Sequence, residues 1–148
     1  MAAYITREDA NTYFAARLFT AEWDAASDSD KDKALTMATD IIDSLAFNGV
    51  KANAEQENQF PRGLDTSVPV PVQRACAEIA KALLEGIEPD KEANTLNIES
   101  HGIGSLKVNL RVSQVPEHRR AGIPSYTAWK LLNPYLNKDR NVELHRIN

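Results

Sequence analysis

Residues 68–85, VPVPVQRACAEIAKALLE, constrain the fold more than any other part of the chain. Val72, Ala75, Cys76, Ile79, Ala80, Leu83 and Leu84 recur at i, i+3, i+4 and i+7, which is one face of an α-helix. Gln73, Arg74, Glu78, Lys81 and Glu85 fall on the other side. Pro71 suits a first helical turn, where the N–H it lacks would have no partner anyway. Gly86 is a C-terminal stop and Pro89 prevents resumption. The small side chains Ala75, Cys76 and Ala80 admit a neighbouring helix closely. The stretch therefore predicts the central helix of a small bundle.

The rest of the chain supplies partners for it. Thr6, Arg7, Glu8 and Asp9 read as a capping box with Asp in the Glu position, opening a helix over 7–18 with Ala10, Tyr13, Phe14 and Leu18 as its apolar stripe. Residues 20–26, with Trp23, predict a single helical turn. The run Ser27-Asp28-Ser29-Asp30 places short oxygen acceptors and negative charge where a helix start favours them. That helix carries Leu35, Ala38, Ile41, Ile42 and Leu45 to about residue 46, and Asn48-Gly49 ends it. Residues 48–67 are polar, with one turn expected at 54–58. There Phe60 reads as a core plug beside the rigid turn of Pro61, Arg62 and Gly63. The Arg62 fork suits a carboxylate across the bundle or on a neighbouring subunit.

Beyond the central helix the period changes to two. Thr95–Ile98 alternates, and Leu106, Val108, Leu110 and Val112 alternate with Lys107, Asn109 and Arg111. Gly102-Ile103-Gly104 separates the two segments, so an antiparallel β-arm is expected across 95–112. Two strands alone are marginal in water, so the arm packs on the bundle or is completed by another chain. Residues 113–122 read as a polar, basic loop. Pro124 opens a last helix with Tyr126, Trp129, Leu132 and Leu131 on its inner side, stopped by Asn133-Pro134. The expected fold is thus mainly α, a bundle of about four to five helices over 1–136 with the inserted β-arm. Residues 137–148 form an extended tail, ordered by a partner.

At 148 residues one domain with one core is expected. No apolar run approaches the roughly 20 residues that span a bilayer, and the N-terminus lacks the pattern of a secretory signal. One cysteine excludes an internal disulfide framework and fits a reducing cytoplasm. Residues 1–100 carry 18 acids and 9 bases, net −9; residues 101–148 carry 3 acids and 8 bases, net +5. That asymmetry fits assembly or an anionic partner, or equally an acidic body with a basic tail that merely solvates.

Catalytic signatures are lacking: there is no GxxxxGK[ST], GxGxxG, HExxH or GxSxG. His101, His118 and His145 read as surface histidines, Cys76 as a buried structural thiol, and Asp40 with Asp43 as part of a solvated helix face. No enzyme, cofactor or metal is expected. The basic set Lys107, Arg111, Arg119, Arg120, Lys130, Lys138, Arg140 and Arg146, interleaved with Tyr126, Trp129 and Tyr135, has the make-up of a single-strand stacking surface. Against this, Tyr126 and Trp129 fit the apolar side of the last helix, and the acidic total opposes tight non-specific binding.

Several motifs also carry a family resemblance. These are Tyr4-Ile5-Thr6 with Tyr13-Phe14; Trp23 to Asp28 with Lys31 and Ala34-Leu35; Phe60-Pro61-Arg62; Val68-Pro69 with Ala75 to Glu78; Gly104-Ser105-Leu106-Lys107-Val108; and Leu131 to Leu136. In this order and spacing, over residues 4–136, the chain resembles the head–tail connector (adaptor, or head-completion) proteins of tailed bacteriophages. Many of those sequences carry the label of DnaT-like single-stranded-DNA-binding proteins. The resemblance implies a homo-oligomeric ring, usually dodecameric, made in the host cytoplasm and built into the virion neck. It would dock beneath the portal, receive the next neck or tail component, and let double-stranded DNA pass without sequence-specific binding and without a membrane. It places subunit contacts at Arg62, Gly104, Ser105, Leu106, Lys107, Val108 and Arg111. The tail after Leu136 lies outside the resemblance; docking to portal or neck is expected, beyond it, at Arg119, Arg120, Lys138, Arg140, Val142, Leu144, Arg146 and Ile147. The alternative under the same label is a replication accessory protein that binds single-stranded DNA.

Overall fold

The structure is a computed structural model that describes residues 2–91 and 116–138. It is mainly helical, and no sheet forms among the described residues. The β-arm expected at 95–112 lies outside them.

Helix α1 spans Arg7–Ala15 and α2 spans Ala21–Ala25. Helix α3 spans Asp28–Asp43, and α4 spans Val70–Leu84. A single turn, α5, follows at Glu117–Arg120, then α6 at Tyr126–Leu132 and a 3-10 turn at Asn133–Tyr135.

The starts are set by short side chains. Thr6 Oγ1 accepts from the Asp9 amide at 3.1 Å, Ser27 Oγ from that of Asp30 at 3.1 Å, and Ser125 Oγ from that of Ala128 at 3.2 Å. Glycine sets one stop, because Gly86 follows α4 at φ 95°, where a side chain would be strained. Helix α1 ends three residues before the predicted 18. The chain leaves it through Ala16, and Phe19 takes φ 62°. Helix α3 likewise stops at Asp43, short of 46. The turn expected at 54–58 is not helical: Asn53 Oδ1 accepts from the Glu55 amide and Gln56 Oε1 from the Asn53 amide, drawing the backbone into a side-chain-held turn. The expected loop at 113–122 contains the α5 turn.

Helix α4 is the axis of the core. Val72, Ala75, Cys76, Ala77, Ile79, Ala80 and Ala82 are all buried, so it is covered on nearly every side. Its principal neighbours are α3 and α6. The small residues permit the close approach, and Cys76 Sγ lies 3.4 Å from Thr39 Oγ1 on α3. Thr39 in turn accepts from the Tyr4 amide at 3.1 Å and donates to Leu35 O at 2.9 Å, so a buried hydroxyl is fully used. Burial pushes the Cys76 thiol up to about 11, in keeping with a structural thiol.

Two sequence expectations about this core are corrected. Glu78 was expected on the polar side of α4 but is 2% exposed. Its carboxylate takes the Tyr13 hydroxyl at 2.9 Å, Arg17 Nε at 3.1 Å and Lys81 Nζ at 3.3 Å, which is what makes burial tolerable. Burial and that carboxylate push the Tyr13 phenol up to about 12. Asp43, expected on a solvated face with Asp40, is half-buried. It accepts from the Tyr4 hydroxyl and from the Gln59 amide, and burial raises its carboxyl above the usual range.

Phe60 is the plug expected beneath the 48–67 segment. Its ring stands edge-on to Tyr4 at 5.9 Å, Phe47 at 4.7 Å and Tyr135 at 5.7 Å, and the Phe60–Pro61 bond is cis. The same cluster holds the end of the described chain. The Asn48 amide donates to Tyr135 O at 2.9 Å, Asn48 Nδ2 to Leu136 O at 3.0 Å, and the Asn137 amide to Ala46 O at 3.0 Å. The expected tail therefore begins fastened to the bundle, and its residues from 139 on lie outside the described ones.

Candidate nucleic-acid interface

Charge is unevenly spread over the described chain. Residues 2–91 hold 16 acids and 9 bases, whereas residues 116–138 hold the single acid Glu117 against Arg119, Arg120, Lys130 and Lys138. The basic segment folds as α5, a tight connection and α6. Ile123 is the rivet of that connection: its side chain is fully buried and its amide donates to His118 O at 2.8 Å. His118 Nδ1 lies 2.9 Å from Ile123 O, so the imidazole is pinned to the same backbone. Gly122 turns the chain at φ 82°.

This geometry splits the two aromatics of α6. Trp129 is 9% exposed and sits in the core with Ala128 and Leu132. Tyr126, expected on the inner side, is 61% exposed. The reason is rotational: three residues back on a helix is about 60° round from Trp129, and the buried sector is centred on Ala128, Trp129 and Leu132. The Tyr126 ring lies 5.7 Å from that of His118 at 51°, and Lys130 Nζ stands 5.5 Å from its centroid. Arg119 and Arg120 are exposed on the adjoining turn. The arrangement is a small cationic surface with one available aromatic face. It can stack one base and neutralise a few phosphates.

The model of the family described as "Putative DnaT-like ssDNA binding protein" matches residues 1–147. The chain belongs to that family. Neither the curated proteins nor the solved structures contain a match.

Placed on this family member's fold, the other sequence candidates separate. Arg62, expected to reach a carboxylate across the bundle or on a neighbour, is held by its own loop. Nε donates to Asn48 O at 2.9 Å, Nη2 to Gly49 O at 2.6 Å, and Nη1 to Gln59 Oε1 at 2.8 Å and Gln59 O at 3.2 Å. Lys138 is exposed near the 3-10 turn. Gly104, Ser105, Leu106, Lys107, Val108, Arg111, Arg140, Val142, Leu144, Arg146 and Ile147 lie outside the described residues, as do His101 and His145. Among the described residues no group of three His, Cys, Asp or Glu side chains is placed to hold a metal, and no helix is long and apolar enough to cross a membrane. The pinned His118 beside Tyr126, and the buried Glu78, were missed from sequence. No spacing marks either of them, because both depend on contacts between separate helices.

Proposed function

We propose that this DnaT-like family member is a non-catalytic adaptor of a tailed-phage neck, a ring subunit beneath the portal through which DNA passes. The observation that carries this reading is the burial of Trp129. A stacking platform for successive bases needs several available aromatic faces, and the described C-terminal segment offers only Tyr126, with Trp129 committed to the core. The acidic helical body supports the same reading, since an acidic wall lets a polyanion slide without holding it. The resemblance of its ordered motifs to connector proteins is in keeping with it. Arg120 and Lys138 are then exposed cations available to a docking partner, with Arg119 exposed beside Arg120.

A second reading, a replication accessory protein that binds single-stranded DNA, is favoured by the family description and by the exposed Tyr126 between His118 and Lys130. Quantitative mass spectrometry of purified virions, comparing copies of this chain with copies of the portal, separates the two. Comparable numbers support the adaptor. Absence from virions with abundance in infected cells overturns it. The second reading then makes its own demand. Binding of an oligonucleotide through Arg119, Arg120 and Lys130 should weaken with salt at a log–log slope of roughly −2, from about 0.7 per neutralised phosphate.

A further inference from the structure

Across residues 2–91 acids outnumber bases sixteen to nine, and at one place that balance inverts. Arg17 Nε stands 3.1 Å from Glu78 Oε1, and Lys81 Nζ 3.3 Å from Glu78 Oε2. The Arg17 and Arg74 guanidiniums lie 5.1 and 5.7 Å from the centroid of the Tyr13 ring, whose hydroxyl is also spent on Glu78. Among the described residues no other carboxylate, Glu85 a turn further along α4 included, is in ion-pair reach of these three cations. Three positive groups thus share one negative charge. Elsewhere on the body the reverse holds: Arg7 faces Glu8, Asp28 and Asp32, and Lys33 and Lys91 each have an acid of their own. Cations gathered in excess of their acid raise the local potential and draw a further anion.

An aromatic face stands beside this cluster. Lys81 Nζ donates to Phe19 O at 3.4 Å, which joins Phe19 to the cationic group. Phe19 is 86% exposed, and no ring of the described residues stacks on it. Its backbone takes φ 62°, a conformation that bulky side chains avoid. Strain that displays an apolar ring to water has no benefit for the isolated fold, and such outliers concentrate where a contact is made. A guanidinium fork matches phosphate oxygens, and a free aromatic face stacks bases of any sequence. A duplex keeps its base faces inside its own stack, so cations and ring together suit a single strand.

We propose that Arg17, Arg74 and Lys81, with the Phe19 ring beside them, bind a single strand of nucleic acid, its phosphates on the cations and one base against Phe19. The site uses none of the residues of the α5–α6 surface. It deepens the second functional reading and rests on that reading for its ligand, but it requires neither a ring nor a place in the virion.

Fluorescence anisotropy of a labelled oligothymidylate with the full chain, across a salt series, tests it. Arg74→Gln should flatten the log–log salt slope by about 0.7, the share of one phosphate. Phe19→Leu keeps apolar bulk at the same backbone angle but removes the ring, and should weaken binding about tenfold; Phe19→Trp should retain it. Both positions are exposed, so thermal melting should be unchanged in all three variants. Affinity and slope that persist in Phe19→Leu and Arg74→Gln overturn the proposal. If Tyr126→Ala weakens binding in that same series, the second reading survives the failure. No binding of the strand by the wild type overturns both. Equal affinity for a duplex of the same phosphate count, or equal displacement of the strand by polyglutamate, also overturns the proposal, because either would mean that this face reads charge alone.

Discussion

The hydroxyl of Tyr13 donates to Glu78 Oε1 at 2.9 Å, tying α1 to the middle of α4 through a carboxylate that is almost wholly withdrawn from water. Arg17 and Lys81 complete the cluster, so α4 receives an ionic lock on one side and an apolar interface on the other.

Removing that carboxylate strands two cations and a phenol. Glu78→Ala should destabilise the fold by about 3–5 kcal/mol, as breaking a buried ion pair does. Glu78→Gln keeps one acceptor and should cost about 1–3 kcal/mol. Urea unfolding at neutral pH measures both. Equal, small losses would mean that the lock contributes little.

The division of α6 gives a second test. Trp129→Ala should cost about 3–5 kcal/mol by emptying a core site. Tyr126→Ala should stay within about 0.5 kcal/mol, as an exposed substitution. If the second reading of function holds, Tyr126→Ala should also weaken oligonucleotide binding by about 1–3 kcal/mol. Unchanged binding would remove the surface from consideration.

Asp43 gives a pH dependence whose sign is fixed by its environment. Burial raises its carboxyl in the folded state above the unfolded value, so the fold binds this proton more readily. The associated stability is fully present below the ordinary Asp range and is lost as pH rises through the higher folded-state value. Asn at this position still accepts from Tyr4 and Gln59 through Oδ1 but does not titrate. The stability difference between wild type and Asp43→Asn should therefore shift toward wild type as pH falls from 7 through the carboxylate range. A flat difference would contradict the burial argument.

Arg62 organises the 48–63 loop through four donated bonds, three of them to backbone carbonyls. Arg62→Lys keeps the charge but replaces a planar fork with a single ammonium, and should leave at least two carbonyls without their partner. Hydrogen exchange should accelerate at the amides of Ala52 and Gly63, which pair with Pro61 O and Val50 O across the loop. Protection equal to wild type would show that Phe60 alone holds the loop.

Much of the fold was legible because its signals are local. Periodicity located α1, α3, α4 and α6, and Thr6 and Ser27 cap where their spacing predicts. Phe60 was readable as a plug because an aromatic in a polar stretch has few other uses. The misreadings share one cause. Glu78, Asp43 and Tyr126 were assigned by which side of a helix they occupy, and in each case another element decided the outcome. Arg17 and Tyr13 bury Glu78, Tyr4 and the Gln59 amide cover Asp43, and the short α6 turns Tyr126 outward. The positive φ of Phe19 has no sequence signature, since glycine or asparagine is the residue that would announce it.

The near-complete enclosure of α4 bears on the order in which the protein is made. As the chain leaves the ribosome, α1 and α3 can close over one side of α4, but α6 is encoded well downstream and emerges later. Until it does, the side of α4 that α6 covers stays open to water. A transcript cut short in the interval would release a product with that side of α4 uncovered. Synthesis therefore has no safe halfway point: the helix shared by both halves is the last to become dry.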